Sequence, residues 1–139
     1  MSVYSRPVFE LFNPPGLYDP SSNGYSHVAA LASGARLLFV AGQGGEDIDG
    51  RLPAAFPEQA RQALTNVNTA LQSQGSSLQQ VFKLTLLIVD HDEHRLRDWV
   101  TEANRLWRDG HYPVCTLIPV PRLALDGMLV EIEAVAACT

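Results

Sequence analysis

An α+β fold, with two helices on one face of a mixed sheet of about six strands, is predicted by three features of the 139-residue sequence. Two segments place apolar residues every three or four positions, the period of a half-buried helix. Short apolar runs rich in Val, Ile and Leu, bounded by Gly and Pro, read as strands. Their order is strand, strand, helix, strand, helix, strand, strand, which one sheet covered on one face explains.

Residues 1–22 are rich in Pro, Gly and Ser and predict an arm with at most one short strand near 8–11. Strands follow at 25–31 and 36–41, with Ser33-Gly34-Ala35 as a hairpin turn between them. Residues 42–56 hold four glycines and read as a loop. Pro57 suits the first turn of a helix, where a missing N–H costs nothing. From there Ala60, Ala63, Leu64, Val67, Ala70 and Leu71 form one stripe, and Gly75 ends the helix. Residues 81–89 are a long strand. Asp90 and Glu93, three apart, suit a capping box at the start of the second helix. Its stripe is Leu96, Trp99, Val100, Ala103, Leu106 and Trp107, and Gly110 stops it. Strands at 115–120 and 128–137 close the chain, with a turn near Asp126-Gly127. The helices cover one sheet face. The other is left apolar, which predicts an oligomer.

The length fits one domain, 1–139, with the arm at its start. A formal charge of −5 with ten scattered cations, Lys83 being the only lysine, excludes a basic face for nucleic acid or an anionic membrane. Residues 1–14 lack the apolar core of a signal peptide, and no run is long enough to span a bilayer. Cys115 and Cys138 are too few for a secreted disulfide scaffold, so reduced thiols and a cytoplasmic location are expected.

Several segments in this order resemble the RidA/YjgF family. They are Tyr25-Ser26-His27-Val28, Leu38-Phe39-Val40-Ala41-Gly42-Gln43, Val81-Phe82-Lys83-Leu84-Thr85, Pro121-Arg122-Leu123 and Val130-Glu131-Ile132-Glu133-Ala134. Each motif alone is weak; the ordered series, from Tyr25 to the C-terminus, is specific. The resemblance implies a chorismate-mutase-like subunit and a homotrimer with small-metabolite clefts between subunits. It also implies hydrolysis of enamines or imines to keto acids and ammonia with no metal and no organic cofactor. Glu131 aligns with the glutamate that positions water, Tyr25 with a cleft tyrosine. Gln43 and His27 fall beside the expected cleft. Some family members have been labelled ribonucleases, which the acidic charge disfavours here.

One position departs from the family. An arginine follows a proline and one small residue at the start of the fifth strand and clamps the substrate carboxylate. Here the stretch is Pro113-Val114-Cys115-Thr116, so Cys115 stands at the arginine position. A guanidinium offers a permanent charge and a planar fork; a thiol offers neither. Losing that contact costs about 1.5–3 kcal/mol. The usual 2-iminopropanoate deaminase reaction is therefore not expected at family rates. A ligand-binding or regulatory protein on the same scaffold is the alternative. Cys115 is expected to fill space on the cleft wall rather than act as a nucleophile. Arg122 is the candidate for a replacement charge. His91 and His94 straddle a helix start, where acidic neighbours are ordinary, and no metal site is expected. Gly42-Gln43-Gly44-Gly45 lacks the Lys-Ser/Thr of a phosphate loop.

Overall fold

In the computed structural model, residues 6–139 are described. The first five residues of the predicted arm lie outside the described residues. Six strands and two helices follow the predicted order: β1 (Phe9–Phe12), β2 (Val28–Leu31), β3 (Arg36–Gln43), α1 (Phe56–Gln72), β4 (Val81–Val89), α2 (Glu93–Leu106), β5 (Val114–Val120) and β6 (Val130–Cys138). The strands form two ladders, an antiparallel β1–β2 ribbon and a mixed four-stranded sheet in the order β3-β6-β4-β5. Only β4 and β5 run parallel, with α2 as their crossover.

Alternation decides which residues meet the helices. On β4, Leu84, Leu86 and Ile88 are buried, as are Val130, Ile132, Ala134 and Ala136 on β6. They pack with Ala60, Ala63, Leu64, Val67 and Leu71 of α1 and with Trp99 and Ala103 of α2 into one core. Glu102 of α2, 3% exposed, takes two bonds from Arg61 of α1, at 3.0 and 2.9 Å, and so ties the helices together. On the opposite face Phe39 is 75% exposed and Leu37 41%, with Ile118 also open. Among the described residues no helix is long and apolar enough to cross a membrane.

The structure corrects three local expectations. The turn at residues 32–35 is present, with Ala35 N–H bonding Ala32 O, yet β2 and β3 do not pair as a hairpin. β2 turns instead to β1, and β3 to β6, where Arg36 to Val40 pair with the alanine- and valine-rich end of β6. The strand expected at 25–31 begins only at Val28. Before it, Ser26 makes a single parallel bridge to Val114. The second helix is capped by Asp92, whose carboxylate accepts from Arg95 N–H at 2.8 Å. Asp90, expected as the cap, sits in the preceding turn with φ of 50°. The two cysteines lie on strands that are not neighbours. Cys138 pairs with Arg36, whereas Cys115 pairs with Leu84, and both thiols are free.

Candidate functional site

β5 is an edge strand, and a cleft of about 400 Å³ opens beside its first residues on the helix side of the sheet. Register explains which side chains reach it. Cys115 lies opposite Leu84 and Leu117 opposite Leu86, so both β5 residues face α2 rather than the open sheet face. Leu86, Leu96, Trp99 and Leu117 supply the apolar lining. Cys115, Thr116, Tyr25, Tyr18, Asn23 and His91 supply the polar groups. No lysine or arginine lines it.

The arm brings in the two tyrosines. Ser26 N–H bonds Pro113 O at 3.1 Å, and this bridge sets Tyr25 beside the start of β5. The Tyr25 hydroxyl is hydrogen-bonded to the Tyr18 hydroxyl. His27 completes an aromatic group, its ring 5.5 Å from Tyr18 and 5.4 Å from Tyr25, edge to face. His27 Nε2 also bonds Tyr18 O at 2.8 Å, and His27 N–H bonds Asn13 Oδ1 at 2.9 Å. His27 thus holds the arm in place and does not itself line the cleft.

Burial governs the chemistry of these groups. It pushes the Cys115 thiol up to about 12, a rise that the positive charge of Lys83 only partly offsets. Such a thiol stays protonated at neutral pH and is a poor nucleophile. Burial, followed by the bond to Tyr18, pushes Tyr25 up to about 12 as well, so it remains a neutral donor or acceptor.

Glu131 lies elsewhere. It pairs with Leu87 and faces the side of the sheet away from the helices, as does Glu133, paired with Thr85. Glu131 is half-buried and Glu133 exposed. The reason is Gly42 of β3, where any Cβ would collide with the Glu131 carboxyl group. The bulge between Val40 and Gln43 brings that glycine across. Gln43 follows it, its amide donating to Ala41 O at 3.1 Å. Arg122 stands beyond the far end of β5. From Cys115 to its end at Val120 the strand alone spans about 17 Å, and Arg122 lies past that end. It donates to Asp126 at 2.9 Å, in the open.

The sequence-predicted residues therefore fall into two groups on opposite faces. Tyr25, Cys115 and, through Tyr18, His27 gather at the β5 edge. Glu131 lies over Gly42 on the other face. Gln43 belongs to neither group, since its register partner Ile132 faces the helices, and Arg122 also joins neither. Sequence reasoning weighed His91 only as a metal ligand beside His94. In the structure His94 pairs with Asp98 at 3.7 Å, while His91 lines the cleft. Tyr18, Asn23, Thr116 and the cleft side of Trp99 carried no signal as site residues. They come together through the arm and the α2 crossover, contacts far apart in sequence.

Comparison with known proteins agrees with this architecture. The family model described as Endoribonuclease L-PSP matches residues 18–138. The chain is 32% identical over 138 residues to 2-iminobutanoate/2-iminopropanoate deaminase of Bos taurus, which covers 98% of this chain and 93% of that protein. It is also 32% identical over 112 residues to RutC family protein YjgH of Escherichia coli strain K12, with coverage of 81% and 82%. A Rid-family protein of unknown function from Yersinia pestis has a solved structure that superposes with a TM-score of 0.87 at 28% identity, covering 94% of this chain and 99% of that one. TdcF of E. coli with bound serine superposes with a TM-score of 0.64 at 27% identity, covering 96% and 100%. The ordered motifs, the α+β architecture and these similarities together make the chain a member of the RidA/YjgF family, whose family model carries the name Endoribonuclease L-PSP.

Proposed function

We propose that the protein is a cytoplasmic homotrimer whose small-molecule sites are completed between subunits, and that it hydrolyses an enamine, an imine or a related compound there. The observation that carries this reading is the split of the site. The Cys115 cleft and Glu131 lie on opposite faces of one sheet, so a ligand touching both needs a second copy. Leu37, Phe39 and Ile118, exposed on the Glu131 face, are the apolar surface a second copy would cover. The deaminase names of several relatives and the serine bound to TdcF support a small nitrogen-bearing metabolite. The net charge of −5 argues against RNA as substrate.

In this reading water attacks the C=N carbon while Glu131 accepts its proton. Glu131 passes that proton to the nitrogen, which gives a neutral carbinolamine; it then takes the hydroxyl proton and delivers it to the nitrogen, so that ammonia leaves and the carbonyl product remains. Tyr25 and the cleft wall orient the substrate. No metal or cofactor takes part. Light scattering should report a trimer at micromolar concentration, and a stable monomer would refute the assembly. Ammonia release from an imine or enamine panel should fall by about 100-fold or more in Glu131→Gln, the scale of a lost general base. Equal rates in both proteins would refute the mechanism.

A second reading, a non-catalytic metabolite-binding or regulatory trimer, is favoured by one observation: Cys115, where deaminating relatives carry arginine, is a protonated thiol without charge. On 2-aminoacrylate generated in situ the protein should release ammonia far more slowly than an arginine-bearing relative. Trimer assembly with metabolite binding but no turnover of any imine would establish the second reading.

A further inference from the structure

We propose, building on the reading of the β5-edge cleft as the ligand site, that its ligand is an uncharged carbonyl, imine or amide with no carboxylate at the Cys115 wall, and that His91 is the residue selecting it. The first support is the charge of the lining. It contains no lysine or arginine. Lys83, whose charge reaches Cys115, stands on the other face of β4 and does not line the cleft, and the cations nearest in sequence to His91 are committed elsewhere. Arg95 donates to Val89 O and stacks over the Phe56 ring at 5.4 Å. Arg97 pairs with Glu93 at 3.5 Å. Burying a carboxylate against Leu86, Trp99 and Leu117 without a countercharge is strongly unfavourable.

The second support is His91 itself. It is half-buried in the turn between β4 and α2 and lines the cleft. Its Nδ1 is buried and has no hydrogen-bond partner among the described residues. A histidine's second nitrogen normally takes its role, donor or acceptor, from the bond the first one makes. Here no protein group sets that role, so the ring can offer a ligand either a proton or a lone pair. The neighbouring hydroxyls, Tyr18 and Tyr25, are bonded to each other, and among the lining residues His91 carries the buried polar atom that the fold leaves unpaired. Neutral polar groups over an apolar floor select an uncharged, hydrogen-bonding ligand.

The test compares pyruvamide with pyruvate, which share a shape and differ in an uncharged amide against a carboxylate. Both are titrated at pH 8 by ligand-observed NMR into the wild-type protein, His91→Phe and His91→Gln. The expected result is at least tenfold tighter binding of pyruvamide to wild type. His91→Phe should lose that advantage, and His91→Gln, whose amide reaches the position of Nε2, should retain part of it. Circular dichroism and light scattering confirm that each variant is folded and assembled, and His91→Gln serves alone if His91→Phe is not. Pyruvate binding as tightly as pyruvamide would overturn the inference while leaving the cleft as a ligand site. Unchanged selectivity in the folded variants would overturn the role of His91. Failure of both probes to bind would overturn the inference together with the reading of the cleft on which it rests.

Discussion

The loop over residues 42–56 and the cleft beside β5 stand on the same sheet and treat buried polar atoms in opposite ways. Under the loop, Gln59 is 1% exposed and every polar atom of its side chain is used. Its amide donates to Pro53 O at 2.7 Å and Gly127 O at 2.9 Å, and its carbonyl accepts from Leu129 N–H at 2.8 Å. One side chain thus fastens α1 to both long connections. Asn66 adds bonds to Gly44 O and Glu46 O. Gly45 lies so close that a Cβ there would approach Gln59 Cα to 2.7 Å. At the cleft, by contrast, His91 Nδ1 is buried without a partner among the described residues. A satisfied network holds a loop; unsatisfied atoms beside a cavity are left for something that binds.

Breaking the satisfied side should give the largest effect. Gln59→Ala leaves one N–H and two carbonyls buried without a partner, at about 1–3 kcal/mol each. We expect a loss of at least about 3 kcal/mol and a melting temperature lower by more than about 8 °C. A calorimetric scan showing less than about 1 kcal/mol would mean that water replaces the amide there.

The cleft should respond in binding rather than in stability. Cys115→Arg places a guanidinium where deaminating relatives carry one, and affinity for pyruvate should rise about tenfold, one charge-assisted contact. If the wall is tightly filled, overpacking would cost about 1–3 kcal/mol and show as a lower melting temperature. Unchanged pyruvate binding by a folded variant would mean the pocket is shaped for a different group at that wall.

Alkaline pH sharpens the same contrast. The Cys115 thiol is raised from its ordinary value of 9.0 to about 12, so the folded state keeps a proton that the unfolded chain releases. The associated stability is complete below pH 9 and is lost as pH climbs from 9 toward 12, at no more than about 1.4 kcal/mol per pH unit. Stability curves between pH 8 and 10.5 should therefore fall more steeply for wild type than for Cys115→Ala. Parallel curves would place the thiol in water.

The smallest effect is expected at Arg122. Its pair with Asp126 is exposed on both sides, so Arg122→Ala should change stability by less than about 0.5 kcal/mol. Ligand binding should not change either. A loss of binding would show that Arg122 reaches a neighbouring subunit's cleft and supplies the charge that Cys115 lacks.

Local pattern was enough to determine the order of elements, both helix stripes and the β4 strand. A helix or strand half-buried in a core must repeat its apolar residues at 3.6 or 2, whatever it packs against. The Cys115 substitution was legible for the same reason, since Pro113 and the strand after it mark the position in the chain. Strand partners were not legible. The turn at 32–35 looks like a hairpin from its own residues, and only the competition among six strands sends β2 to β1 and β3 to β6. The site was legible in part. Alternation puts Glu131 and Glu133 on one face, yet only Gly42 and the β3 bulge make one of them half-buried and leave the other open. That Cys115 faces the helices while Glu131 faces away depends on the register of β4 with both neighbours. That His91 enters a cleft with Tyr18 and Tyr25 depends on where the arm and the α2 crossover return. These are contacts between residues distant in sequence, and their geometry is decided when the packed layers close, not by any local preference of the chain.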